Sequence, residues 1–451
     1  MEPALDTHVA RSFPAALSLA TGADSPGPEI PRPSTRRGMA RLLCPLFILL
    51  LLWLWLFKAE GAFAGGPNGK SFEADFAMFL TAAQIMKDGG NPYDHDLLYT
   101  TERRLLQRQG LPITRQRAIV RVGNPPLLFW ALEPLTGFPF QRVALAWLAC
   151  MYLLSFTGFL ACLRYLGWKR WLVPSLIFLL MPQVVFGPYY GNIVCLVFAG
   201  LGCALALLHR RPFLAGMLLS LTLIKPQVAL PIVGLLVLFH PARRRSLLAG
   251  FGAATTGLLA LTVLATGWHR MLFWLHALVG YSNDLRQSPD VASLAGLYVR
   301  LTGGAGRSAL QLLCLVAAVA LTAHIWRTRR GDGQMPILSV SVLWLAWFLA
   351  TPYAHFFDEV LLTVPLLALV GRDANRLTWR PPAVALYLMF FSLTVISATP
   401  FNVQLLPLPL VGILICLIVA ERNPAYRPSP PLRGSPAPGR PGPAVGSGSH
   451  A

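Results

Sequence analysis

The sequence predicts an all-α, polytopic integral membrane protein with about twelve transmembrane helices. Of its 451 residues, 55% are hydrophobic and only 13% are charged, whereas soluble domains carry about 25% charged residues. The mean hydropathy is +0.56, and apolar segments fill almost all of the chain between residues 42 and 420. So few charges cannot cover the surface of a water-soluble fold, and the composition therefore excludes a soluble enzyme.

Two polar tails flank the apolar body. Residues 1–40 and 421–451 are rich in Pro, Ser, Gly and Arg. Such segments cannot bury enough apolar surface to fold, so both are expected to be disordered. The remaining residues, 41–420, are expected to form one membrane domain.

Apolar runs bounded by charge or proline mark the predicted spans. A helix needs about 20 residues to cross a bilayer core of about 30 Å, so the shorter runs must extend into their flanks. The predicted spans are 42–57, 139–163, 170–186, 190–208, 212–224, 226–240, 246–266, 308–326, 335–350, 355–370, 381–399 and 403–420.

The first of these spans, residues 42–57, also admits an interpretation as a signal peptide. The sequence Ala62-Phe63-Ala64 follows it and resembles a cleavage site. We favour an uncleaved anchor. In either case, the residues that follow are placed on the outer side of the membrane.

Basic residues occupy every second connection between the predicted spans. Because Lys and Arg accumulate on the cytoplasmic side, this alternation places both termini in the cytoplasm and the protein in the cell membrane. The net charge of +19 is therefore an orientation signal, and no nucleic-acid partner is predicted. The basic groups are Arg32/Arg36/Arg37/Arg41, Arg164/Lys169/Arg170, His209/Arg210/Arg211, Arg243/Arg244/Arg245, Arg327/Arg329/Arg330, Arg372/Arg376/Arg380 and Arg422/Arg427.

Residues 212–240 are long enough to form one helix, but the charges argue for two. A single crossing would put the basic groups before and after it on opposite faces. Two short passes that meet at Lys225-Pro226 keep both groups on the cytoplasmic face. A break of this kind also suits a water-filled cavity at its outer end.

Two large outer loops, residues 58–138 and 267–307, follow from this topology. Apolar residues recur at helical spacing in the first loop and predict a helix that lies along the membrane surface; they are Phe72, Phe76, Phe79, Leu80 and Ala83. Uncommon polar residues collect near the outer boundary, where ionisable groups are costly and mark functional sites. The candidate site residues among them are Asp75, Tyr93, Asn192, Lys225, His355 and Asp358.

Four short motifs in this order resemble glycosyltransferase family 87, a family of polyprenyl-phosphate-sugar-dependent enzymes in the GT-C superfamily. The first is an acidic D-F element at residues 75–83, followed by G-G-N-P-Y-D at residues 89–94. The second is the N-P-P element that begins at Asn124 and ends at Pro134-Leu135. The third is A-G with a later K-P at residues 215–226, and the fourth is T-P-Y-A-H with a later Asp at residues 351–358.

The resemblance implies a GT-C-like fold and an activity. It implies that a hexose, often mannose, passes from a polyprenyl-phosphate donor to a lipid- or glycan-linked acceptor at the outer face, with inversion. It also implies that Asp75 is the general base that removes the acceptor proton. The alternative for Asp75 is a charge that interacts with a helix dipole or with solvent.

Each of the other candidate residues has two interpretations. Lys225 either holds the donor phosphate as a point charge or is a lysine whose ammonium reaches the lipid headgroups. His355 and Asp358, three residues apart, either bind substrate and support Asp75 or form a local structural hydrogen bond. Asn192 and Tyr93 are assigned to substrate binding by their position.

The remaining polar motifs predict no cofactor. Asp94-His95-Asp96 spells a D-x-D pattern, but a monophosphate donor has little need of a metal ion, so no metal site is assigned. The arginines between residues 103 and 121 are expected to contact membrane lipids. The seven cysteines lie in apolar stretches and are interpreted as small core residues. The sequence does not indicate an oligomeric state, and a transporter, a flippase for lipid-linked sugars and a noncatalytic scaffold remain the alternatives.

Overall fold

The computed structural model describes residues 74–108, 122–168, 171–284, 292–302, 306–329, 337–351, 354–373 and 405–422. Every regular element within these ranges is a helix. The N-terminal tail, the C-terminal tail beyond residue 422 and the predicted spans 42–57 and 381–399 lie outside the described residues. The domain boundaries therefore stay predictions.

The first half of the described chain contains the helices that carry most of the candidate site. Proline begins several of them, since its missing N–H and fixed φ suit the first helical position. They are α1 (Ala74–Lys87), α2 (His95–Arg108), α3 (Pro126–Leu132), the 3₁₀ helix η1 (Glu133–Gly137), α4 (Phe140–Tyr165), α5 (Leu172–Leu180), α6 (Pro182–Tyr189) and α7 (Val194–Leu207).

The second half continues the bundle and ends with the helix that precedes the C-terminal tail. Its helices are α8 (Pro212–Leu219), the 3₁₀ helix η2 (Ser220–Ile224), α9 (Pro226–Phe239), α10 (Arg244–Thr266), α11 (Trp268–Asp284), α12 (Leu294–Thr302), α13 (Arg307–Arg329), α14 (Ile337–Ala350), the 3₁₀ helix η3 (Phe356–Leu362), α15 (Thr363–Asp373) and α16 (Pro407–Arg422).

Three of the described helices are long and apolar enough to cross a membrane: Phe140–Tyr165, Arg244–Thr266 and Ser308–Thr328. Five further apolar helices of 10–17 residues are shorter than a full span. The structure thus agrees with a helical membrane protein. Twelve spans and a GT-C architecture stay predictions.

The predicted span 170–186 is not one helix. The chain leaves helical geometry at Met181, whose φ is −68° and ψ is 131°, and α6 begins at the next residue. Pro182 explains the break, because proline disfavours α geometry in the residue before it. The predicted span 355–370 likewise begins as 3₁₀ helix η3 and becomes α-helical only at Thr363.

The chain reverses at Lys225-Pro226, as the charge pattern predicted. Lys225 has φ −132° and ψ 68°, outside helical geometry, and separates η2 from α9. The histidine rings that precede α8 and follow α9, His209 and His240, lie 5.9 Å apart between centroids. Since both ends of the segment meet, residues 212–240 leave one end of the bundle and return to it.

Pairs of glycines let two pairs of helices approach closely. A Cβ added at Gly202 of α7 would collide with the backbone of Gly158 on α4, and one at Gly216 of α8 would collide with the Leu247 carbonyl on α10. Small residues at such crossings are typical of helices that pack within membranes. These contacts hold α4, α7, α8 and α10 together around the largest buried apolar cluster.

The expectation that α1 lies along the membrane surface is wrong. Residues Phe76, Phe79, Ala82, Ala83 and Met86, which point in different directions around the helix, are each at most 3% exposed. Protein therefore surrounds α1 on all sides. The physical reason is that the helix is apolar around most of its circumference, and such a helix is stable only when it is buried.

The second outer loop holds the far end of α1. The Arg270 Nη2 of α11 donates to the Met86 carbonyl at 3.0 Å, and the Trp274 Nε1 donates to the Gly123 carbonyl at 2.9 Å. Both bonds satisfy backbone oxygens that precede or follow the first loop's helices. They fix the position of α1 and hence of Asp75 in its first turn.

Candidate active site

Asp75 lies in the first turn of α1 and is paired with Asn192. The Asn192 Nδ2 donates to Asp75 Oδ2 at 2.7 Å, and the backbone N–H of Asp75 donates to the Tyr190 carbonyl at 2.7 Å. The Asn192 Oδ1 accepts the backbone N–H of Val194 at 3.0 Å. Because that bond fixes which amide atom faces Val194, the NH₂ group must face the carboxylate.

The turn that carries Asn192 is itself held by an aromatic side chain of α4. Gly191 has φ +71°, a left-handed conformation that glycine adopts without strain. The Trp147 Nε1 donates to the Gly191 carbonyl at 2.9 Å, and its indole stacks on Phe76 with 4.9 Å between ring centroids. One indole therefore contacts both the turn and the residue next to Asp75.

Lys225 and Asp358 form a buried ion pair. The Lys225 Nζ lies 2.7 Å from Asp358 Oδ1, and the exposed fractions of the two side chains are 10% and 0%. The lysine is therefore not reaching for lipid headgroups, and that interpretation is wrong. An ammonium group has three hydrogen-bond donors, and Asp358 accepts one of them.

His355 is the residue from which η3 begins. Its backbone N–H donates to Asp358 Oδ2 at 3.0 Å, and its carbonyl accepts the Asp358 N–H at 2.9 Å. The imidazole stacks on Phe357 with 5.0 Å between centroids, and Lys225 Nζ lies 4.4 Å from the centroid of the same ring. Asp358 thus bonds both Lys225 and the backbone of His355, and Phe357 packs against both side chains.

The two pairs belong to one end of the helix bundle. Ile224, next to Lys225, packs against the buried cluster that contains Phe76 and Ile193, the neighbours of Asp75 and Asn192. The helix η3 packs against α6 and α7. The amino-terminal ends of α1, α7, α9 and η3 therefore meet here, and helix amino termini carry partial positive charge that favours anions.

Tyr93 has a structural role in its loop. Its hydroxyl donates to the Asn124 carbonyl at 2.9 Å, its N–H donates to Asn91 Oδ1 at 3.0 Å, and its ring packs on Phe129. Burial raises the pKa of the phenol. These contacts join two of the motifs, N-P-Y-D and N-P-P, and use the hydroxyl within the protein.

The D-x-D pattern is explained by a helix start. Asp94 Oδ1 accepts the backbone N–H groups of Asp96 and Leu97, each at 3.0 Å. This is the ordinary role of an aspartate at a helix N-cap. The first carboxylate of the pattern therefore stabilises α2.

Sequence reasoning missed two residues of this site, Trp147 and Phe357. Both lie in apolar runs, where one more aromatic residue carries no positional signal. Only the contacts with Gly191, Lys225 and His355 identify them.

A family model for glycosyltransferase family 87 matches residues 123–352, about half of the chain. The chain belongs to glycosyltransferase family 87. Membership identifies this membrane protein as a glycosyltransferase with a sugar donor and an acceptor, and it favours the enzyme over the transporter, flippase and scaffold alternatives. No curated protein and no solved structure matches the chain.

The family match covers the centre of the candidate active site. Asn192 and Lys225 lie inside the matched segment, whereas Asp75 precedes it and His355 and Asp358 follow it. The contacts of this glycosyltransferase add the outer residues: Asn192 bonds Asp75, and Lys225 bonds Asp358. The structure therefore links the flanking candidates to the family segment residue by residue.

Proposed function

We propose that this family 87 glycosyltransferase moves a hexose, with mannose favoured, from a polyprenyl-phosphate donor to a lipid- or glycan-linked acceptor. The reaction takes place at the outer face of the cytoplasmic membrane and inverts the anomeric configuration. The observation that carries this proposal is the Asp75 carboxylate, fixed by Asn192 at the point where four helix amino termini meet.

Asp75 acts as the general base. It takes the proton of the acceptor hydroxyl as the oxygen attacks the anomeric carbon from the side opposite the phosphate. A single displacement needs one carboxylate, in contrast to the carboxylate pair of glycosidases. The Asn192 amide at 2.7 Å holds one carboxylate oxygen, so that the base keeps one orientation during the transfer.

Lys225 and His355 stabilise the leaving group. As the bond between the anomeric carbon and the phosphate oxygen breaks, its electron pair stays on the phosphate, which leaves as polyprenyl phosphate with added negative charge. The ammonium and the amino termini of α9 and η3 favour that charge. The proposed reaction uses no cofactor or metal ion, because these groups supply the required positive charge.

The depth of the site supports a lipid-linked donor. Helix α7 has 14 residues and is therefore about 21 Å long, less than a bilayer core of about 30 Å. Along α4, Trp147 lies about 10 Å below the helix start at Phe140, and it contacts the turn of Asn192. The site is thus recessed below the outer end of α4, where a lipid phosphate can enter sideways from the membrane.

The test is reconstitution of the purified full-length protein into liposomes with labelled polyprenyl-phosphate sugars and a membrane lipid extract. Asp75→Asn should lower transfer by about 10²–10⁴-fold, the usual contribution of a general base. Asp88→Asn is the matched control, because Asp88 is exposed immediately after the far end of the same helix. The control should transfer at the wild-type rate.

Two results would contradict the proposal. Transfer by Asp75→Asn at the wild-type rate would remove the base assignment. Product formed from a nucleotide sugar, with none from any polyprenyl-phosphate sugar, would overturn the donor assignment. The anomeric configuration of the product, measured by NMR, should be opposite to that of the donor.

A further inference from the structure

The end of the bundle opposite Asp75 carries basic residues that the proposed reaction does not use. The rings of Tyr165 and His209 stack at 6.0 Å and 8°, and His209 meets the edge of His240 at 5.9 Å. The His240 Nδ1 lies 2.9 Å from the Leu236 carbonyl, which fixes that ring. Three connections that are distant in sequence, those after α4, α7 and α9, are therefore joined at one surface.

This surface has no carboxylate to neutralise it. The sequence contains no Asp or Glu between residues 134 and 283, and no ion pair to these arginines occurs in the part of the chain that the structure describes. Partial burial and the charge of Arg243 lower the pKa of His209, so its ring is neutral at pH 7 and Arg243 lies near it. The arginines at this end are Arg164, Arg210, Arg211, Arg243, Arg244 and Arg245.

Two helix amino termini add to the positive potential. Helix α8 begins after Arg211 and α10 begins after Arg243, and neither arginine makes a side-chain cap hydrogen bond. A cation next to a helix amino terminus is unfavourable by about 0.3–1 kcal/mol. These arginines therefore do not stabilise their own helices, whereas an anion bound here would contact both charges.

Exposed apolar side chains lie directly beside the arginines. Trp171, Leu172, Phe213, Leu214 and Leu248 are between 38% and 58% exposed. Arginines bordered by exposed apolar residues are expected where lipid headgroups meet the hydrocarbon core. A surface that faced only water would gain nothing from these side chains.

We propose that this basic surface, formed by Arg164, His209, Arg210, Arg211 and Arg243, binds the phosphate of an anionic phospholipid in the leaflet opposite the active site. Membrane orientation alone requires positive charges in the loops. It does not require that three distant connections be tied together by stacked rings around a common anion-attracting surface. The inference concerns binding alone and is independent of the proposed glycosyl transfer.

The experiment measures binding of a fluorescent phosphatidylglycerol to the full-length protein in nanodiscs of phosphatidylcholine. The variant is Arg210→Gln/Arg211→Gln/Arg243→Gln. Each arginine near a membrane phosphate contributes about fivefold in affinity, so the triple variant should bind on the order of a hundredfold more weakly. The control Arg103→Gln/Arg104→Gln/Arg108→Gln removes the same charge from exposed positions on α2 and should change affinity by less than about threefold.

Further arms keep the test decisive. Arg210→Lys/Arg211→Lys/Arg243→Lys keeps the charge and should retain most of the binding, which also separates lost contacts from lost folding. Equal weakening in both glutamine triples would show non-specific charge attraction and overturn the proposal. Competition by soluble glycerol phosphate at the same concentrations as the lipid would identify a site for free phosphate esters and would also overturn it.

Discussion

Replacing Asp358 by Asn should destabilise the protein strongly, and replacing the whole ion pair should not. Lys225 Nζ and Asp358 Oδ1 are 2.7 Å apart and nearly excluded from water. At an effective dielectric constant of about 20 their attraction is about 6 kcal/mol, against a desolvation cost of several kcal/mol per ion. Asp358→Asn leaves the Lys225 charge buried without compensation, which costs about 3–5 kcal/mol. The double variant Lys225→Met/Asp358→Leu removes both charges and should recover most of that loss.

The assay is a double-mutant cycle of the free energy of unfolding, measured by titration with a denaturing detergent in mixed micelles and followed by tryptophan fluorescence. Donor turnover is measured in parallel. The double variant should fold but show weakened use of the polyprenyl-phosphate sugar, because Lys225 is absent. A loss below about 1 kcal/mol for Asp358→Asn would refute the buried-pair reasoning, as would a double variant that loses the sum of both single changes.

Two further changes test the site and the packing. Asn192→Ala removes the bonds to Val194 and Asp75; it should cost about 1 kcal/mol of unfolding free energy and lower the transfer rate about tenfold or more, and an unchanged rate would show that Asp75 needs no such support. Gly202→Ala places a Cβ against the α4 backbone and should cost about 1–3 kcal/mol. Gly257→Ala, which meets no atom within 4 Å, should be neutral or stabilising by up to about 1 kcal/mol, and equal melting temperatures for the two glycine variants would contradict the close crossing.

The sequence was sufficient to bring the site residues to one end of the bundle. Ionisable groups in an apolar chain must lie near a boundary or find partners, and this placed Asp75, Asn192, Lys225 and Asp358 together. The alternation of basic loops also identified the reversal at Lys225-Pro226. The pairings themselves were not predictable, because they join residues 117 and 133 positions apart. A shared membrane face does not determine which of several polar side chains are neighbours.

The burial of α1 was missed although the sequence contained the signal. Its residues 76–83 read F-A-M-F-L-T-A-A, which leaves no broad polar face. An interfacial helix needs such a face for headgroups and water, whereas a helix that is apolar all round is buried. Selecting only the phenylalanines and leucines at helical spacing imposed an amphipathic pattern on a helix that has none.

The direction of the helices relates the two ends of the molecule. Helices α4, α7 and α9 begin near the Asp75 end and finish at the basic surface, so their positive amino termini lie near the candidate site. Helices α8 and α10 run in the opposite direction and begin at the basic surface, at Arg211 and Arg243. Both ends therefore present helix amino termini together with cationic side chains, which is the combination that binds phosphate. The Asp75 end differs in having a carboxylate base, and this difference assigns the chemistry to one end and lipid binding to the other.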